Sequence, residues 1–194
     1  MTSLRRILLR LLTGPLRFLA GILRKPQMGG DTLENVMSVL RPGDVILTYR
    51  RGLVARLIPG YWSHAALYIG EGRIIHAVYP EVTGSHVASL IVGNDNLLIV
   101  RPRFATPGTR MAAIVEMRRF VGKPYDLGFG PGRDAFYCSE AVATAYKTAM
   151  PEWDFEWRER LGVPTVTPQD LADASDHFER VWHYQNEPTR NHTQ

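Results

Sequence analysis

At 194 residues the chain has room for one domain with a substantial core, and not comfortably for two. An apolar fraction of 45% against 22% charged residues excludes a disordered or collagen-like chain, and a single cysteine excludes an internal disulfide or a cysteine-rich zinc site. The net charge of +4 belongs to residues 1–30, where Arg5, Arg6, Arg10, Arg17, Arg24 and Lys25 meet no acid; the remainder is slightly acidic, so no nucleic-acid partner is expected.

In chain order, residues 1–30 come first as a basic leader. Placed at 100° per residue, Leu4, Ile7, Leu8, Leu11, Leu12, Leu16, Phe18, Leu19, Ile22 and Leu23 share one broad face and the arginines gather opposite, an amphipathic helix kinked at Pro15. Arg10 and Arg17 leave too short an apolar stretch for a signal peptide or a spanning helix. The pattern suits a helix lying in the headgroup region, so residues 4–25 are expected to meet a membrane surface. Packing of this helix on the body or on a partner protein is the plainer alternative. The absence of a disulfide fits a reducing compartment, which favours peripheral attachment on the cytoplasmic side.

A domain over 31–185 follows. Asp31 with Glu34 predicts a capped helix to about Leu40. Arg41-Pro42-Gly43 ends it and opens a strand from Asp44 to Thr48. Residues 52–58 read as a short helix or loop. Ser63 to Ile69 and Arg73 to Tyr79 read as strands joined through Gly70-Glu71-Gly72. A further strand runs from Asn96 to Arg101, and an amphipathic helix from Pro107 to Val121. After a glycine- and proline-rich loop comes a helix from Tyr137 to about Ala149. Thr167-Pro168 opens another short helix, and Phe178 to Tyr184 forms a last strand. Residues 186–194 read as a disordered tail. Strands clustered between helices give an α+β fold with a central antiparallel sheet packed by helices.

Two segments carry chemistry. A loop of three residues, Gly70 to Gly72, with Gly72 left-handed, would pair Ile69 with Arg73, His64 with Val78 and Ala66 with His76. The two imidazoles then become diagonal neighbours on one face, about 7–8 Å apart at Cα. A turn of two residues, Glu71-Gly72, would instead send them to opposite faces. The second segment, Phe136-Tyr137-Cys138-Ser139-Glu140, lies where loop becomes helix. A thiol there meets unsatisfied amides and the positive end of the helix dipole, both of which favour thiolate. An imidazole that accepts its proton and a group that orients the imidazole would complete a set for thiol acyl transfer, with the Cys138 amide facing a tetrahedral oxyanion. A lone cysteine is otherwise a small buried hydrophobe. Glu140 reads as a first-turn residue favoured by the dipole, Asp126 as a loop or cap residue and His86 as loop polarity. His177 and His183 have no partner that the sequence reveals.

The stretch from His64 through Gly70-Glu71-Gly72 to His76-Ala77 resembles the histidine hairpin of the NlpC/P60 superfamily of cysteine hydrolases. Gly122-Lys123-Pro124-Tyr125-Asp126 through Tyr137-Cys138-Ser139-Glu140 is similar to its cysteine segment. With histidines ahead of the cysteine and an opening Arg41-Pro42-Gly43-Asp44, residues 40–185 resemble the circularly permuted YiiX/YebB-like branch, related to lecithin-retinol-acyltransferase-like proteins. The resemblance implies a permuted papain-like fold, with Cys138 as nucleophile, His64 as base, His76 as the residue orienting His64 and Tyr125 at the oxyanion hole. It implies an amide or ester hydrolase or acyltransferase acting through an acyl-thioester, on a lipid-linked or a peptide substrate. No cofactor is expected. His64, His76 and Cys138 could also ligate zinc, but a thiol hydrolase accounts for them without a metal. A membrane-associated lipid-binding module that keeps the fold without catalysis is the alternative.

Overall fold

The computed structural model describes residues 28–52, 58–103, 105–132, 134–153, 155–160 and 162–184. The leader helix over 4–25, residues 53–57 of the ambiguous segment and the tail expected over 186–194 lie outside the described residues.

Among the described residues eight strands and five helices follow in order. These are α1 (Gly30–Val39), β1 (Val45–Tyr49), β2 (His64–Gly70), β3 (Arg73–Val78), β4 (Glu81–His86), α2 (Val87–Gly93), β5 (Asn96–Pro102), α3 (Pro107–Arg119), α4 (Cys138–Ala149), β6 (Arg158–Arg160), β7 (Val163–Thr165), α5 (Pro168–Asp173) and β8 (Phe178–Tyr184). Six strands form one antiparallel sheet in the order β4-β3-β2-β1-β5-β8, and β6 pairs with β7 alone. The fold is α+β, as the clustering of strands implies.

Because successive side chains leave a strand on opposite faces, the central strands feed two cores. On one face Val45, Leu47, Ala65, Leu67, Leu98 and Val100 pack against Ile114 and Met117 of α3 and Ala141, Val142 and Ala145 of α4. On the other, Ile46, Ala66, Ile74, Leu97 and Ile99 meet Val36 of α1 and Val87, Leu90 and Ile91 of α2. Burial on both faces explains why β1 and β5 read as continuous apolar runs rather than alternating ones. The core begins before residue 31: Met28 is buried on the α1 side, and Gly29 rather than Asp31 is the N-cap of α1.

The Arg41-Pro42-Gly43-Asp44 segment is an anchor. Asp44, wholly buried, takes two bonds from Arg101 of β5, Nε at 2.9 Å and Nη2 at 2.8 Å, and a third from the Arg41 amide at 2.8 Å. Arg101 Nη2 also donates to the Val39 carbonyl at 2.8 Å, so one planar cation ties the end of α1 to β1 and β5. Gly43 has φ +95°, and a Cβ there would come within 2.8 Å of Arg110. Its carbonyl accepts from the buried Tyr146 hydroxyl of α4.

The β2–β3 hairpin corrects the expected loop and keeps the expected register. The turn has two residues, Glu71 at φ 53° and Gly72 at φ 70°, and Gly70 pairs with Arg73. Positive φ at both central positions matches the twist of the flanking strands. A Cβ at Gly72 would meet His86 Nε2 at 2.5 Å, which reserves the position for glycine. A bulge between Tyr68 and Gly70 then inserts one residue, after which Tyr68 pairs with Ile74 and Leu67 with Ile75. Continued by one residue, that register sets Ala66 opposite His76. The turn alone would have separated the histidines; the bulge reunites them.

Candidate active site

His64 opens β2, and His76 lies on β3 facing the same side. Their rings stand with centroids 5.1 Å apart and steeply inclined, and His64 Nε2 is 2.9 Å from His76 Nδ1. His76 Nε2 in turn lies 3.0 Å from Ser85 Oγ of β4. In the β3–β4 ladder His76 pairs with Thr83 and Ile74 with Ser85, so the serine reaches the imidazole diagonally on the shared face. Burial pushes the His76 pKa down to about 4, so this ring is neutral through the physiological range.

Cys138 is the first residue of α4, and Tyr137 is the N-cap. Its side chain is buried, within the core cluster that includes Ala65, Leu67 and Ala77. Burial pushes the thiol pKa up, and hydrogen bonding from the amides of Ala65, Ser139 and Cys138 pulls it back. Helix position alone would favour thiolate; here desolvation outweighs it.

The Ala65 contact locates the sulfur. Among the described residues the β2–β3 ladder runs from Gly70–Arg73 only as far as Leu67–Ile75, while β3 stays paired with β4 to Val78–Glu81. Where β2 leaves β3, the Ala65 amide turns to the sulfur, one residue after His64. By strand alternation the imidazoles belong to the α1 face and the thiol to the α4 face.

The N-terminus of α4 is held from several directions. Ser139 Oγ donates to the Val166 carbonyl at 2.8 Å, and the Tyr137 hydroxyl accepts from the Val166 amide at 3.0 Å. Phe136 stacks on Phe120, the C-cap of α3, at 4.2 Å between centroids, with Lys123 Nζ over both rings. Glu140, wholly buried, accepts from the Tyr137 amide at 3.2 Å and from the Gly132 amide at 2.8 Å. This is the first-turn role its position implies, extended to hold the preceding loop. Burial pushes Glu140 up to about 7, against the pull of those two amides, with Asp126 adding to the rise. Asp126 organises the same loop, accepting from Gly128 at 2.7 Å and Gly130 at 3.0 Å.

Tyr125 joins the site through its backbone. It bridges to Phe136, two residues before Cys138, and its amide donates to the Pro80 carbonyl at 2.8 Å. Its ring packs edge-on to Phe129 at 6.4 Å. The structure therefore brings His64 and His76 into direct contact, sets Cys138 beside the strand of His64 and seats Tyr125 on the loop ahead of the cysteine.

Ser85 was missed by sequence reasoning, because β4 carries a single buried apolar residue, Val82, and gives no strand signal of its own. Once β3 is known to continue into a hairpin, its alternation with His76 exposes it. The other described histidines are structural. His86 Nδ1 caps α2 by accepting from Ala88 at 3.2 Å. His177 stacks on Phe155, and His183 packs edge-on to Trp62.

A hydrogen-bonded histidine pair and a helix-terminal cysteine next to the strand of the first histidine, on an antiparallel sheet with helices on both faces, define a papain-like thiol-hydrolase scaffold in permuted order. The chain belongs to the permuted papain-like amidase enzymes of the YaeF/YiiX, C92 family, whose pattern matches residues 39–181. It is similar to the gamma-DL-glutamyl hydrolase of Bacillus subtilis (strain 168), at 28% identity over 150 residues, 72% of this chain and 35% of that protein. It thus spans about a third of the length of that relative. Its fold is similar to that of the metalloprotein YiiX from Escherichia coli O157:H7, with a TM-score of 0.63 and 21% identity over 76% of this chain and 99% of that one. Among the described residues no three His, Cys, Asp or Glu side chains gather as a metal site. His64 and His76 share a hydrogen bond nitrogen to nitrogen, an arrangement that suits proton transfer and not two ligands aimed at one ion.

Proposed function

We propose that the protein hydrolyses amide bonds through an acyl-thioester on Cys138, with His64 as the base and His76 as the residue that orients it. The observation that carries this reading is the 2.9 Å contact between the two imidazoles, made where β2 opens onto the sulfur. His64 Nε2 is engaged by His76, so proton exchange with the thiol falls to Nδ1. The buried thiol is reluctant to ionise into solvent, and it forms thiolate by handing its proton to His64, giving a pair whose charges offset each other.

Thiolate then attacks the carbonyl carbon, and the carbonyl oxygen takes the negative charge. The Cys138 amide, at the first position of α4, is assigned as one donor to the developing oxyanion and Tyr125 as the second. As the tetrahedral carbon collapses, His64 Nδ1 returns its proton to the departing amine and the thioester remains. Water enters, gives a proton to His64 and attacks the thioester. A carboxylic acid leaves and the thiol is restored.

Peptide amides, including γ-linked glutamyl amides, are the substrates this reading favours over lipid esters, supported by the amidase family and by the hydrolase it resembles. Mass spectrometry after incubation with γ-glutamyl peptides, other short peptides, acyl esters and phospholipid vesicles tests it. A Cys138 acyl adduct formed from peptides is expected, and Cys138→Ala should lower turnover by at least about a thousandfold without loss of folding. Adducts from lipid esters alone would move the assignment to lipid acyl hydrolysis or transfer. The burial of Cys138 favours a second reading, a lipid-binding module without catalysis, to which no adduct from any donor would point.

Residues 4–25 are proposed to hold the enzyme on an anionic membrane surface from the cytoplasmic side, through the arginines of an interfacial helix. Deletion of residues 1–27 should abolish sedimentation with anionic vesicles; binding that survives the deletion would refute the assignment.

A further inference from the structure

We infer that Ser85 is a positioning residue that sets the proton arrangement of both histidines. The inference rests on the reading of Cys138 as nucleophile and His64 as base. It starts from the unbroken chain Ser85 Oγ, His76 Nε2, His76 Nδ1, His64 Nε2, linked at 3.0 and 2.9 Å.

Each link admits one proton, so the chain has two states. In the first, His76 carries its hydrogen on Nε2 and donates to Ser85, its Nδ1 accepts from His64 Nε2–H, and His64 Nδ1 presents a lone pair to the thiol. In the second, Ser85 donates to His76 Nε2, His76 donates from Nδ1 to His64 Nε2, and neutral His64 carries its hydrogen on Nδ1. Only the first can take the proton of Cys138. It also persists after the transfer, since imidazolium His64 still donates from Nε2 to His76.

Selecting the first state requires an acceptor for His76 Nε2–H, and Ser85 supplies one. A hydroxyl suits this task because it accepts without adding charge beside a buried neutral imidazole. Ser85 is half-buried on β4, the edge strand of the sheet, where its own proton can be given to solvent. The role is analogous to that of groups behind a metal-bound or catalytic imidazole, which fix its tautomer through the second nitrogen.

The test uses the full chain labelled with 15N-histidine, with imidazole nitrogen shifts read by NMR beside the rate of Cys138 alkylation by iodoacetamide at neutral pH. In wild type, His64 and His76 should both carry hydrogen on Nε2. In Ser85→Ala the His76 tautomer should become mixed and alkylation should slow about tenfold, the low end of what losing an orienting partner costs. Ser85→Thr should restore both. A wild-type His76 protonated on Nδ1, or a folded Ser85→Ala protein with unchanged tautomers and alkylation rate, would overturn the inference. Should Ser85→Ala fail to fold, the wild-type tautomers and Ser85→Thr still decide. Indifference of alkylation to His64→Ala would instead defeat the nucleophile reading, a result separable from the tautomers at His76.

Discussion

The β1–β2 pair buries polar groups at both of its ends, and the two ends solve the problem differently. At the Asp44 end the charge is kept and fully matched: a wholly buried carboxylate takes two bonds from Arg101 and one from the Arg41 amide. At the His64 end burial works against charge. His76 is pushed down to about 4, Cys138 is pushed up, and Glu140 nearby is pushed up to about 7, each chiefly by burial. A matched charge ties three elements together and has no proton to give. The far end, where burial favours the neutral forms, holds two hydrogen-bonded imidazoles that can exchange a proton, the condition for passing one to and from a substrate.

The largest effect that would sharpen this contrast is expected at the charged end. Asp44→Asn leaves Arg101 without its carboxylate and should lower the unfolding free energy by about 3–5 kcal/mol, measured by denaturant titration. Hydrolysis by the fraction still folded should be nearly unchanged. A comparable loss in turnover per folded molecule would show that the two ends are not separable.

A smaller effect, with a definite sign, belongs to the neutral end. Glu140 binds its proton better folded than unfolded, so its contribution to stability falls as pH climbs from the ordinary 4.5 to about 7. His76 binds its proton worse folded, so its contribution falls as pH drops from 6.5 towards 4. Compared with Glu140→Gln, wild type should therefore lose stability across the first window; compared with His76→Asn, it should lose stability across the second. Stability curves that run parallel to wild type at every pH would contradict the burial argument for either residue.

The smallest effect concerns Thr48, which pairs with His64 across β1 and β2 and whose buried hydroxyl has no hydrogen-bond partner among the described residues. Thr48→Val removes an unsatisfied polar atom and should change stability by no more than about 1 kcal/mol, in the stabilising direction. Clear destabilisation in the melting temperature would mean that the hydroxyl has a role in the neutral network.

Much of this was legible before any coordinates. The apolar runs of β1, β2, β3 and β5 announce strands, and Thr167, followed by proline, marks a helix start that the structure keeps. The pairing of His64 with His76 was legible for a partly mistaken reason, since a bulge at Ile69 does the work assigned to a longer loop. β4 was not legible: Glu81 to His86 contains a glycine and one buried apolar side chain, and its strand character comes from pairing with β3. Nor was α2, because Val87 to Val92 is a short apolar run that fits a strand as well as a helix. The balance of burial against amides at the sulfur is also beyond sequence, because it depends on how far α4 sinks against the sheet.

The pH dependence of Cys138 alkylation, compared between wild type and His64→Ala, most directly tests the claim that the thiol gives its proton to the first imidazole. Loss of His64 should raise the apparent thiol pKa and slow alkylation at neutral pH by about tenfold or more. Superimposable profiles would mean that the sulfur and His64 do not share a proton, and the catalytic account would fall with them.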